Sequence, residues 1–239
     1  MVVEVCATNF QSALNAQDAG ANRIELCSEL AVGGITPNYG LLKKVTSELN
    51  IPVHVLIRPR SGDFTYSDSD FEVMKQNIAL CKRLKCSGIV SGVLHKDMRV
   101  DIPRTKELID LASPLTFTFH RAFDWTPDPI ATAKKLAEIG VARILTSGQA
   151  TSAVEGLPML TQLKDTFTGT ILAAGGINLD NAAQFKAHAF EEIHLSATVQ
   201  EKTIDAPKIA LNSTKHFDET MQCVSSLSIL HQLISQLNA

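Results

Sequence analysis

Several runs of this 239-residue sequence read as buried strands that end in groups able to move protons, hold anions or ligate a metal. LTFTFHRAFD (115–124) supplies His120, Arg121 and Asp124. IELC (24–27) supplies Glu25 and Cys27, VLIRPR (55–60) supplies Arg58 and Arg60, ILTSG (144–148) supplies Ser147, and IHLSA (193–197) supplies His194 and Ser196. Strand ends of this kind are where barrel enzymes place their reactive side chains. Glu25 with His120 is the candidate acid–base pair, because a carboxylate bonded to one imidazole nitrogen fixes the tautomer and raises the basicity of the other. Arg58, Asp124 and His194 complete the candidate catalytic set. Arg58, Arg60 and Arg121 carry guanidinium forks that match a carboxylate or a phosphate. AAGGI (173–177) follows a strand and opens a helix, so Gly175 and Gly176 let the backbone approach an anion. Ser147 and Ser196 add donors nearby.

Cys6 and Cys27 fall on neighbouring strands with the same phase. Two facing thiolates suit a soft ion such as Cu(I). The same residues also suit a core, as small apolar side chains. Cys81 and Cys86, five apart on a helix and pointing in different directions, read as packing residues, as does Cys223 on the last helix. The five cysteines contain no CxxC pair, which argues against a disulfide framework. The histidines show no HxxxH or similar spacing, so nothing in the sequence supports a zinc or iron site.

These groups need elements to position them. Strand patterns at 2–7, 22–27, 51–58, 88–93, 114–120, 142–146, 169–174 and 191–196 alternate with helical patterns near 9–19, 38–49, 68–85, 103–112, 128–139, 152–165 and 178–187. A last amphipathic helix is predicted over 217–237, from Met221, Val224, Leu227, Leu230, Leu233 and Leu237. Residues 197–216 read as a long loop that covers the site. Ser67, Asp128 and Asn178 are placed as N-caps. Eight strand–helix units in one chain of this length predict a single (β/α)8 TIM barrel, residues 1–239 forming one domain. An open doubly wound sheet is the rival. Alternation along the strands turns Glu4, Glu25, His54, Arg58, His120 and His194 inward, where branched apolar residues normally sit. An ion-pair network and a functional site both explain such an interior.

Hydrophobic residues make up 45% of the chain and the net charge is −3. With no basic stripe, nucleic acid and membrane surfaces are poor partners. The N-terminus reads directly as a strand, not as a signal peptide, so a cytoplasmic protein with reduced thiols is expected. The expected partner is a small molecule or copper, with a homodimer allowed.

EVC (4–6), ANRIELCSELAVGGITPNYG (21–40), IPVHVLIRPRSGDFTYSD (51–68), LTFTFHRAFD (115–124), ARILTSGQ (142–149) and IHLSA (193–197) together resemble the CutC family of copper-homeostasis proteins. The resemblance runs to about residue 197. It implies a TIM barrel and a role in copper tolerance, with Cu(I) held at Cys6 and Cys27. Two departures stand out. The chain has AAGGI where the family often carries three consecutive glycines, and it lacks the family's Met-Arg-Tyr-Arg-Asn-like run after IHLSA. A Cu(I) carrier does not need IRPRSGDF or FHRAFD. Those runs suit an enzyme acting on a small anionic metabolite at the C-terminal mouth of the barrel.

Overall fold

The computed structural model describes residues 1–211 and 217–238. Eight parallel strands close into a barrel: β1 (Val2–Ala7), β2 (Arg23–Leu26), β3 (Val53–Leu56), β4 (Gly88–Ser91), β5 (Thr116–Phe119), β6 (Arg143–Thr146), β7 (Thr170–Ala174) and β8 (Glu192–Leu195). β8 returns to β1, with Val3 beside Ile193 and Glu4 beside His194. Between the strands run α1 (Phe10–Asp18), α2 (Tyr39–Glu48), α3 (Asp68–Arg83), α4 (Ile102–Ala112), α5 (Pro129–Glu138), α6 (Leu157–Thr166) and α7 (Ala182–Ala187). The fold is a single (β/α)8 barrel.

Local chemistry explains the helix starts. Ser67 and Asp70 form a reciprocal capping box on α3, and Asp128 accepts from Ala131 N–H ahead of Pro129. Asn178 is not a cap: α7 starts later, behind Asn181.

Strand parity holds. Val3, Val5, Ile24, Leu26, Val53 and Val55 are buried against the helices, and the opposite parity fills the barrel. The lower interior is an ion-pair network. The fully buried Glu4 accepts from Arg23 Nε at 2.5 Å and contacts His194 Nδ1 at 2.7 Å. Arg23 also binds Glu192, whose carboxylate takes Arg143 Nε at 3.0 Å. His54 Nδ1 lies 3.6 Å from Glu4 and makes no hydrogen bond. Each buried charge here has an opposite partner, without which it would be costly. Above the network sit Cys6, Cys27, Leu56 and Val90.

The C-terminal region departs from expectation. Residues 217–237 are not one helix, and 197–216 are not all loop. β9 (Thr198–Lys202) pairs antiparallel with β10 (Met221–Ser225), and α8 runs only over Leu227–Asn238. Side chains of α1 account for the difference. Asn9 donates to Cys223 O, Asn15 donates to Ser225 O, and Ser225 N–H donates to Ser12 Oγ. These bonds hold 221–225 extended despite the helical spacing of its apolar residues. They also anchor the hairpin beside α1, and among the described residues 197–211 none borders the barrel mouth. Residues 212–216 of the predicted loop lie outside the described residues.

Candidate functional site

A cavity of about 270 Å³ opens at the C-terminal end of the barrel. Glu25, Arg58, His120 and His194 all border it, together with Cys6, Cys27, Arg121, Gly175, Gly176 and Ser196. Arg60, Asp124 and Ser147 do not.

Glu25 lies deep in the cavity, 6% exposed, and its carboxyl receives no hydrogen bond from the described residues. Burial, helped by the charge of Glu4 and opposed by His194 and Arg23, pushes its pKa up to about 7. It therefore sits where it can either give or take a proton.

His120 is not its partner. The imidazole Nδ1 accepts from Ala122 N–H at 3.2 Å, which leaves the ring proton on Nε2, and Nε2 has no partner. Burial first, then the positive charge of Arg58, holds its pKa down to about 3. The ring packs 4.8 Å from Phe64, which in turn meets Trp125. His120 is thus a neutral ring in the cavity wall and not half of an acid–base pair. The carboxylate–imidazole contact that parity suggested exists elsewhere, between Glu4 and His194. Burial works against charge on His194. Contacts with Cys6 and Glu4, and the charge of Glu25, outweigh it and raise its pKa well above the usual histidine range.

Arg58 does not fork around an anion. Nη1 donates to the carbonyls of Val32 and Gly34, and Nη2 to that of Gly62. It staples the loops after β2 and β3 and lends its charge to the cavity wall. Arg60 is outside the mouth, paired with Asp63 and Asp70. Asp124 is a clasp: it accepts from the Thr146 hydroxyl, from Ser147 N–H and Gln149 N–H at 3.2 Å, and from Arg121 Nε at 2.8 Å. With its oxygens committed, it ties the loop after β5 to the loop after β6. Ser147 belongs to the same clasp; it is fully buried, and its hydroxyl meets Ala150 O at 2.6 Å.

Arg121 stands at the rim, its Nε paired with Asp124 and its guanidinium only partly engaged. Its Nη2 reaches Ser147 Oγ at 2.9 Å, and Nη1 has no partner among the described residues. The Gly175–Gly176 turn lies beside it with φ of 107° and 72°, in the region that favours glycine. A Cβ on Gly175 would come 3.1 Å from Ser147 Cβ and 3.7 Å from Arg121 Cζ. The turn does not open a helix: α7 begins only at Ala182, so the backbone approach survives from the prediction but the helix N-terminus does not. Ser196 borders the cavity with its hydroxyl 3.2 Å from that of Thr198.

Cys6 Sγ and Cys27 Sγ stand 3.5 Å apart, both buried. Contact with Cys27 and burial push the Cys6 thiol well above its usual value. The two sulfurs and a Glu25 oxygen lie within 4.8 Å of one another. That donor set fits a soft ion such as Cu(I) in its sulfur pair. Cys86 lies beyond the end of α3 and not on it, its N–H donates to Cys81 O, and both side chains are buried in the core. The reading of single residues missed Phe64, Arg23, Arg143 and Glu192. The last three were detectable, because each shares the inward parity of its strand.

The CutC family model matches residues 1–199. The chain belongs to the CutC family. A family protein CutC from Proteus mirabilis is 43% identical over 93% of this chain and 91% of its own length, and one from Edwardsiella ictaluri is 46% identical over 82% and 79%. The structure of a CutC protein from Streptococcus agalactiae, described as a putative copper homeostasis protein, superposes with a TM-score of 0.77 at 29% identity, covering 81% of this chain and 97% of that one. Thiamine phosphate pyrophosphorylase from Pyrococcus furiosus, at 13% identity and a TM-score of 0.58, shares the fold alone. The family match ends near β8, so the β9–β10 hairpin and α8 lie almost wholly beyond it.

Proposed function

We propose that the mouth cavity binds and transforms a small anionic metabolite. The observation that carries this reading is the unpaired Glu25 carboxyl facing an open cavity whose rim holds the partly free guanidinium of Arg121. A chain that needed only a filled barrel would place a Val or Leu at Glu25 and avoid the desolvation cost. Arg121 and the Gly175–Gly176 turn hold the anion, the neutral His120 ring lines the wall beside Phe64, and Glu25 transfers the proton. Leu30, Phe64, Leu145 and Ile177 supply the apolar wall. A thermal-shift screen of carboxylated and phosphorylated metabolites on wild type and Arg121→Ala tests it. At least one compound should raise the wild-type Tm and lose most of that effect in the variant. Equal responses in both proteins, or none in either, would refute it.

A second reading, Cu(I) held by Cys6 and Cys27, is supported by the short Sγ–Sγ separation and by the name given to the Streptococcus relative. Cu(I) affinity under reducing conditions should fall sharply in Cys27→Ser. Unchanged affinity would remove this pair. The free state of all five cysteines supports a reducing compartment such as the cytoplasm. Among the described residues no helix is long and apolar enough to cross a membrane.

A further inference from the structure

Among the described residues that border the mouth cavity, Phe64 carries the one benzene ring. It sits in the loop between β3 and α3, which has no regular structure of its own. That loop is nevertheless pinned on both sides of Phe64. Arg58 Nη2 donates to Gly62 O at 2.6 Å, Arg60 Nη2 donates to Thr65 O at 2.7 Å, and Leu94 N–H donates to Phe64 O at 2.9 Å. A ring held in this way loses little conformational freedom when a ligand packs on it.

The neighbours of Phe64 are aromatic or cationic. The Arg58 guanidinium lies over its ring, 5.0 Å from the centroid. His120 stands tilted at 4.8 Å, and Trp125 meets the ring edge-on at 4.8 Å. Both terminal nitrogens of Arg58 are spent on carbonyls, so its charge acts on the ring and not on a ligand oxygen. Cation and ring also flank one stretch of the rim, because His120 touches Phe64 and Arg121 follows it directly. Asp124 offsets part of the Arg121 charge from 2.8 Å, which suits a singly charged carboxylate better than a phosphate dianion. The volume of about 270 Å³ falls below the roughly 300–1,000 Å³ usual for drug-sized ligands, so one ring with one anionic group fits and a nucleotide does not.

We propose that the ligand of this cavity is a single-ring aromatic carboxylate, with its carboxylate at Arg121 and the Gly175–Gly176 turn and its ring packed on Phe64. The proposal rests on the anion reading of the mouth and narrows it to one substrate class. Offset or edge-on contact between two rings favours an aromatic ligand over an aliphatic one that fills the same space, on the order of 2- to 12-fold in affinity.

Isothermal titration of the full chain with benzoate, cyclohexanecarboxylate and phenyl phosphate tests it. Cyclohexanecarboxylate matches benzoate in size and charge and is the more hydrophobic, so a merely greasy wall would favour it. Benzoate should bind wild type more tightly than cyclohexanecarboxylate by about 2- to 12-fold, and more tightly than phenyl phosphate. Phe64→Leu keeps the wall apolar and should erase the preference between the two carboxylates, while Arg121→Ala should weaken both. If Phe64→Leu folds poorly, the three wild-type affinities decide. Equal or reversed affinity for the two carboxylates, a preference that survives Phe64→Leu, or tighter binding of phenyl phosphate would overturn the proposal. Equal carboxylate binding that is still lost in Arg121→Ala would leave the anion reading standing. Failure of all three probes to bind, or indifference of Arg121→Ala, would remove that reading and this inference together.

Discussion

Acidification gives a direct view of His120. Its folded pKa is about 3 against an ordinary value of 6.5, because burial and the nearby Arg58 charge disfavour the imidazolium. The unfolded chain therefore takes up the proton first, and stability falls as pH drops below about 6.5, the loss continuing towards pH 3. At pH 5 the gap from 6.5 is one and a half pH steps, which at about 1.4 kcal/mol each comes to a loss on the order of 2 kcal/mol relative to pH 7. His54, held down to about 4 mainly by burial, adds a loss of the same sign. His120→Asn isolates the first effect, since the amide oxygen can still accept from Ala122 N–H. Urea unfolding at pH 7 and pH 5 should show the wild type losing about 2 kcal/mol more than His120→Asn on acidification. The comparison cancels His54 and the cost of the substitution itself. Equal losses in the two proteins would mean that His120 is protonated in the folded state, and its place as a neutral ring in the wall would fall with that.

Other perturbations follow from the same contacts. Asp124→Ala strands the N–H groups of Ser147 and Gln149 and frees Arg121, so unfolding free energy should drop by roughly 3 kcal/mol or more; a drop under about 1 kcal/mol would deny the clasp. Arg58→Ala should speed amide exchange at 30–34 and 60–64 while leaving the strands protected, and unchanged exchange there would deny the staple. Gly92→Ala places a Cβ 2.8 Å from His120 Nδ1, so it should cost about 1–3 kcal/mol and blunt the response to any ligand; a neutral effect would show the ring to be mobile.

The barrel was legible because period and parity are properties of backbone geometry. Alternation along IELC or LTFTFH cannot be satisfied without turning Glu25 and His120 inward. Parity says which side a residue faces but not what it touches. Glu25 and His120 both face in, yet one ends against the sulfur pair and the other against Phe64 and Ala122 N–H. Arg58 and Arg121 look alike in sequence, yet three backbone carbonyls claim the first and leave the second partly free. Cys6 and Cys27 meet only because β1 pairs with β2, and Glu4 and His194 only because β8 closes on β1, so no spacing along the chain could announce either contact. The helix expected at 221–225 failed for a related reason: its spacing is helical, but hydrogen bonds from α1 side chains hold it extended.

The central claim is that the mouth performs proton chemistry on a bound metabolite, and hydrogen exchange into substrate tests it most directly. Compounds that raise the wild-type Tm would be incubated with the protein in D2O and followed by proton NMR. At least one should lose a C–H signal in the presence of wild type and keep it with Glu25→Gln, both proteins remaining folded. Binding without exchange in wild type, or equal exchange in Glu25→Gln, would contradict the account.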